Sequence, residues 1–225
     1  CDICVINGDN IKYRNKHIIT YGIDKDNDFT FKYNNGKVFV NDYVFRLPFK
    51  GINYAYNFMG IYIILKMLGI NDDIIKNNVL SYKFPIRRNE RYFFNECLLI
   101  NDYAHHPSEI KNIYESINEE YENANIVCIF EPHTISRLEK FKDEFKEVLS
   151  LFDECYLFPL FSSVRENYDT NKVNDLYNFL GFKMYNEKIV EENINSNKII
   201  CFLGAGNIND EFNKIKNRFI SKCMI

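Results

Sequence analysis

Three of the four histidines in this chain sit in two short polar clusters, and each cluster follows an apolar run. Asn101-Asp102-Tyr103-Ala104-His105-His106-Pro107-Ser108-Glu109 follows CLLI (97–100), and Glu131-Pro132-His133-Thr134-Ile135-Ser136-Arg137 follows IVCIF (126–130). A third cluster, Gly204-Ala205-Gly206-Asn207, follows IICFL (199–203). These residue types suit the handling of anions and amines. The guanidinium groups of Arg88 and Arg137 are permanent cations whose fork matches a carboxylate or phosphate. Asp102 has the oxygens to accept hydrogen bonds from a ribose or to hold a magnesium-bound water. An imidazole such as that of His105 can orient an amine or a carboxylate near neutral pH. Pro107 fits the first turn of a helix, whose open amide end favours an anion. No G-x-S-x-G occurs, and no cysteine is placed to work with these histidines, so the pattern is not a nucleophilic triad. Nor is it a zinc site, because the adjacent His105 and His106 point in different directions.

Each signal has a plainer reading. Asp102 and His106 would simply cap the helix at Pro107. His133 alone would be structural, Arg137 a solvated helix charge, and Arg87-Arg88 an exposed linker. Gly204-Ala205-Gly206 lacks the third glycine of a dinucleotide fingerprint. The joint placement of all three clusters on one predicted rim is what points to a site.

The elements that must carry these clusters follow from periodicity. Apolar strands are predicted at 97–100, 126–130, 155–160 and 199–203, with a weaker one near 182–185. Helical spacing links Ile110, Ile113, Tyr114, Ile117 and Tyr121, and again Leu138, Phe141, Phe145, Val148, Leu149 and Phe152. Unbroken apolar strands in β-α units predict a parallel sheet covered on both faces, with ligands at the carboxyl ends of its strands. Residues 1–50 read instead as short β-structure: DICVIN, then HIITYG, DFTFKY and KVFVND, with Asn35-Gly36 as the hairpin turn between the last two. A helix is predicted from about Asn53 to Leu68, closed by Gly69; apolar on nearly every face, it is expected to be buried. A second helix runs from Asp72 or Asp73 to about Ser81. Pro85 then breaks the chain before the charged run Arg87-Arg88-Asn89-Glu90-Arg91, and a domain boundary is expected near residue 85.

Composition bounds the partners. A net charge of −3 without a polybasic run points away from nucleic acid and from anionic membranes. The longest apolar stretch, Ile61 to Leu68, is too short to span a bilayer and is interrupted by Lys66. The 7 cysteines are widely spaced and mostly lie inside apolar runs, which reads as reduced core residues of a cytoplasmic protein. Cys1 and Cys4 form a CxxC that no second pair completes as a metal site. The chain opens with Cys1 and enters directly into an apolar run, so it is expected to be a fragment that starts inside a domain.

Several motifs, in order, carry a family resemblance. Asp102 to Ile110 resembles the opening of the C-terminal domain in Mur ligases, in particular the alanine-adding branch. Phe130 to Arg137 resembles that branch's F-Q-P-H-x-x-[ST]-R, with Asp143-Glu144-Phe145 following. Val164-Arg165-Glu166 is similar to its A-R-E, and Phe202 to Ile208 to its closing G-A-G-D-I. Upstream, Leu80 to Glu90 resembles the F-x-G-x-x-R-R-x-E joint, and Gly51 to Asn57 the G-x-H-N-x-x-N helix start. The departures are Asn53 and Tyr54 for His and Asn, Phe84-Pro85 in a joint that normally holds glycine, Glu131 for glutamine, Pro159 for an acidic residue and Asn207 for aspartate. No G-x-x-x-x-G-K-[ST] phosphate loop occurs anywhere.

The resemblance implies an α/β architecture: residues 1–85 as the tail of a central ATP-binding domain, and 86–225 as a Rossmann-like C-terminal domain with a mostly parallel sheet. It implies ATP-dependent ligation of L-alanine to UDP-N-acetylmuramate for peptidoglycan, with Mg2+ held mostly by residues outside this chain. By carry-over, Asn57, Arg88 and Asp102 contact ATP. Asp102 and His105 serve the reaction, and His105, His133 and Arg137 hold the amino acid. No metal ligand is assigned, and the chain alone is expected to be inactive for want of the phosphate loop. Three alternatives stand beside this. A recycled-tripeptide ligase shares the H-H-P motif, but its second motif differs after the proline, so His133 with Arg137 favours the alanine branch. The others are a decayed, non-catalytic nucleotide-binding module and a plain dinucleotide-binding domain.

Overall fold

The computed structural model describes residues 3–11, 17–161, 170–194 and 196–222. These fall into two units, residues 1–83 with 115–120 and residues 84–114 with 121–225. In the first unit, β1 (Cys4–Asn7), β2 (Ile18–Gly22) and β3 (Phe29–Thr30) form a parallel sheet. β4 (Lys32–Asn34), β5 (Lys37–Val40) and β6 (Tyr43–Arg46) form an antiparallel one. Asn34 pairs with Lys37, so Asn35 and Gly36 alone make the turn. Their φ values of 46° and 73° are those a two-residue hairpin with right-handed strand twist needs. The run DFTFKY, expected as one strand, serves both sheets. Phe31 donates its N–H to the Gly22 carbonyl at 3.1 Å, and the chain then leaves the parallel sheet to begin β4. β6 lies beyond the runs read as strands; its signal is Asn41-Asp42, a second two-residue turn with Asn41 at φ 50°.

Helix α1 (Ile52–Met67) ends as its sequence predicts. Gly69 takes φ 80°, its N–H donates to the Lys66 carbonyl, and the Ile70 N–H donates to the Leu65 carbonyl, so two terminal carbonyls are satisfied. Its burial departs from expectation. Ala55, Phe58, Met59, Tyr62 and Ile63 pack into a core with Phe31, Val38, Val40 and Phe45, but Ile61 and Ile64 are 50% exposed. The helix is apolar all round, yet among the described residues only one side of it is covered. Helix α2 (Asp72–Asn78) starts where the Asn71 side chain accepts the Ile74 N–H at 2.9 Å, and a 3-10 turn over Val79–Ser81 completes the second helix expected in the sequence.

The second unit is built on a six-stranded sheet whose strands are β7 (Glu90–Phe94), β8 (Cys97–Asp102), β9 (Asn125–Phe130), β10 (Glu154–Leu157), β11 (Lys183–Met184) and β12 (Lys198–Leu203). Their order is β11-β10-β9-β12-β8-β7, parallel throughout except for the β7–β8 hairpin. Helices connect the parallel strands: α3 (Pro107–Glu120), α4 (Ile135–Lys140), α5 (Lys142–Leu149), α6 (Thr170–Leu180), α7 (Glu187–Asn193) and α8 (Ile208–Lys222). Two details differ from the sequence reading. β7 is a strand where a charged run was the visible feature, and the long helix expected through Phe141 breaks there, at φ −117° and ψ 26°, into α4 and α5.

All six residues of β8 are buried, as are five of six in β9 and in β12, which is the double-sided burial that unbroken apolar strands predict. Four cysteines belong to this core. Cys128 is level with Cys155 on one side and Cys201 on the other, and burial pushes the Cys128 and Cys201 thiols up, which leaves them as small inert hydrophobes. Cys1 and Cys223 lie outside the described residues. No helix among the described residues is long and apolar enough to cross a membrane.

Candidate functional site

The chain leaves β8, skips one place to β9, runs outward through β10 and β11, and returns as β12 to fill the gap. Leu203 therefore lies level with Asp102 on one side and Phe130 on the other. The three polar clusters leave the sheet at one edge, tied to each other at the backbone: Gly204 N–H donates to the Asp102 carbonyl at 3.1 Å and Glu131 N–H to the Leu203 carbonyl at 2.8 Å. Such a rim is where open α/β sheets bind ligands.

Asp102 is 5% exposed. One carboxylate oxygen accepts the Asn89 N–H at 2.7 Å and the other the Ala104 N–H at 2.8 Å. Burial raises its pKa, while those two bonds and the Arg88 charge oppose the rise. A catalytic or ribose-binding role expects a carboxylate facing a ligand. This one is instead turned inward, where it fastens the turn after β8 to the segment that carries Arg88. The plainer reading holds for His106. Its Nδ1 receives the Ser108 N–H at 3.3 Å, while the Glu109 carboxylate accepts the His105 and His106 N–H groups at 3.0 and 3.1 Å. That is a reciprocal cap on α3.

His105 and His133 come together. Their ring centroids are 5.3 Å apart, edge to face. The Nδ1 of His105 lies 2.9 Å from the Tyr103 carbonyl, which can only accept, so Nδ1 carries a proton, and the Glu109 carboxylate stands 3.5 Å from the same nitrogen. The His133 ring lies flat on Phe161, at 5.2 Å and 9° between planes. Arg137 stands in the first turn of α4, whose N-cap Thr134 accepts the Arg137 N–H at 3.3 Å. Its Nη1 is buried with no hydrogen-bond partner, and among the described residues it makes no ion pair. A buried guanidinium nitrogen without an acceptor is suited to a carboxylate.

The arginine pair at 87–88 divides its work. Arg87 takes φ 64°, donates from Nη2 to the Gly204 and Gly206 carbonyls at 3.1 and 3.4 Å, and lies 4.7 Å over the Tyr103 ring. Arg88 is exposed, with its guanidinium 5.4 Å from the same ring. Asn57 lies exposed on α1 in the first unit. Val164-Arg165-Glu166 falls outside the described residues. Among the described residues no cluster of three or more His, Cys, Asp or Glu is arranged to hold a metal ion.

Two participants are invisible in the sequence. Glu131 is fully buried, and its carboxylate accepts the Gly206 and Asn207 N–H groups at 2.8 and 2.9 Å. The amides that would offer a phosphate a nest at the start of α8 are thus already occupied. Phe161 ends an apolar run and gives no hint that its face meets His133.

No protein-family profile matches the sequence. Solved structures share the fold. The chain is similar to the UDP-N-acetylmuramate–alanine ligase of Thermotoga maritima, with 24% identity and TM-score 0.69, covering 91% of this chain and 48% of that one. It is similar to the MurF ligase of Thermotoga maritima in complex with ADP, with 15% identity and TM-score 0.68, covering 98% and 54%. It is also similar to a murein peptide ligase of Psychrobacter arcticus, with 14% identity and TM-score 0.60, covering 90% and 46%. The fold is therefore that of Mur ligases, and the chain spans about half the length of these structures.

Proposed function

We propose that this chain is the C-terminal part of a Mur-family amide ligase that joins L-alanine to UDP-N-acetylmuramate. Residues 1–85 then end its ATP-binding domain and 86–225 form the domain that brings the amino acid. ATP passes its γ-phosphoryl group to the muramyl carboxylate, giving an acyl phosphate and ADP. The alanine nitrogen attacks the acyl carbon, the carbon–oxygen bond breaks, phosphate leaves, and the amine loses a proton. The supporting observation is the rim itself: paired imidazoles of His105 and His133 at the level strand tips, followed by Arg137 with a buried unpaired nitrogen. Arg137 would hold the alanine carboxylate and the imidazoles its amine end, which fixes the nucleophile for attack. Arg88, exposed beside Tyr103, and Asn57 would meet ATP. Asp102 would act on ATP only through its bond to Asn89, next to Arg88. Mg2+ neutralises phosphate charge in such reactions, and no residue of this chain is assigned to it. Reduced cysteines and a nucleotide-sugar substrate fit the cytoplasm.

The test is amine-dependent ADP release by a longer chain that also carries the half found in the structural neighbours, with UDP-N-acetylmuramate as acceptor. Turnover with L-alanine is expected. Turnover with a cell-wall tripeptide alone would move the assignment to a recycling ligase, and no turnover with any amine would remove the ligase reading.

A further inference from the structure

The glycine loop between β12 and α8 is held from two sides by opposite charges. Arg87 binds its carbonyls at Gly204 and Gly206, and Glu131 binds its amides at Gly206 and Asn207. The loop is packed tightly between them. A Cβ on Gly204 would fall 2.8 Å from the Glu131 Cβ, and one on Gly206 would fall 2.3 Å from Cδ2 of Phe161. The Phe161 ring therefore rests directly on the bare backbone of Gly206. Its own backbone is fastened too, since the Phe161 N–H donates to the Pro132 carbonyl at 3.1 Å, one residue before His133. From there the contacts run on in sequence: Phe161 flat against His133, His133 edge to face with His105, His105 against Tyr103 at 5.3 Å, and Tyr103 beneath Arg87, which returns to Gly206. The two imidazoles are members of a closed circuit.

We propose that Phe161, seated on Gly206 and backed by the Arg87–Glu131 clamp, is the positioning residue for His133, and through His133 for the imidazole pair. The proposal rests on reading this rim as the amine-donor site. Phe161 need not touch substrate. Its flat face limits rotation of the His133 ring from one side while His105 limits it from the other, so the imidazole meets an incoming amino acid already oriented. The same packing explains why the third cluster resembles a nucleotide loop without acting as one: its amides serve Glu131, and its bare glycine seats a phenyl ring.

The experiment is histidine-ring NMR on the 225-residue protein, without substrate. Phe161→Leu removes the flat face, Gly206→Ala drives a methyl group into the ring, and Phe161→Tyr keeps the stack. We expect the first two to move the His133 ring signals and its titration midpoint, with a smaller movement at His105 and none at His106, and Phe161→Tyr to restore the wild-type pattern. Unchanged His133 signals and midpoint in Phe161→Leu would overturn the proposal, whether or not Gly206→Ala folds. In the longer chain, Phe161→Leu should raise the amino-acid KM about 10- to 100-fold, the scale of a small misplacement in a reacting site, with the ATP KM unmoved. Equal rises in both would also overturn it. The spectra need no turnover, so failure of the ligase assay leaves them standing, and altered spectra leave the ligase assay still to be passed.

Discussion

Each unit of the molecule fastens its parallel strands with a carboxylate at a strand tip. Asp9, just past β1, accepts the Ile23 and Asp24 N–H groups, the Asn27 amide and the Tyr56 hydroxyl, all between 2.7 and 3.1 Å. Glu131, just past β9, accepts two N–H groups of the loop after β12. Both reach the loop that follows the neighbouring strand, and both need a glycine where they pass: a Cβ on Gly22 would fall 2.2 Å from the Asp9 carboxylate, as one on Gly204 would collide with Glu131. The difference is burial. Desolvation pushes the Asp9 carboxyl up, but its four hydrogen bonds outweigh that and hold it below the usual range. Desolvation of Glu131 outweighs its backbone bonds and the Arg87 charge, and its pKa is raised. One fastening device gives opposite electrostatic signs because water reaches one carboxylate and not the other.

The comparison breaks first at Glu131. Glu131→Ala removes the buried acceptor of the Gly206 and Asn207 amides and the carboxyl that the Arg87 charge faces, so urea unfolding should show a loss of about 2–3 kcal/mol. Asp9→Ala should cost less, about 1–2 kcal/mol, because water can take up the released donors. Equal losses would mean that burial does not set the difference. The smallest effect is in pH. Asp9 is ionised more readily in the folded state, so its contribution is present above the unfolded pKa of about 4 and fades as pH falls through its lowered folded value. Glu131 is protonated more readily in the folded state. Its contribution is complete below an unfolded pKa of about 4.3 and fades as pH rises through its raised folded value. Amide exchange at Ile23 and Asp24 should therefore speed up toward acid, whereas at Gly206 and Asn207 protection should weaken as pH rises through that window, once the intrinsic rates are divided out. Parallel trends at both loops would contradict the assignment of signs.

What the sequence made legible were features with a local cause. Asn35-Gly36 and Gly69 needed positive φ, the unbroken apolar runs needed cover on both faces, and the polar exits of three such runs had to share an edge. What it hid depended on distant partners. Glu131 meets the glycine loop 75 residues away, and nothing near it in the chain reveals a carboxylate aimed at backbone amides. Asp102 looked free for a ligand because Asn89, which donates to it, lies in a charged run whose strand character appears only when β7 pairs with β8. Phe141 kept helical spacing, so periodicity ran straight through a real break. DFTFKY alternates as one strand although its two halves pair in different sheets.

The proposed amine-donor role of this rim is tested most directly by Arg137→Ala in the longer chain, with L-alanine and ATP varied separately. A charge-assisted pair lost from the amino-acid carboxylate should raise the alanine KM by about 10- to 100-fold while the ATP KM stays near its original value. Equal changes in the two, or none in alanine, would show that the rim grips something other than the amino acid.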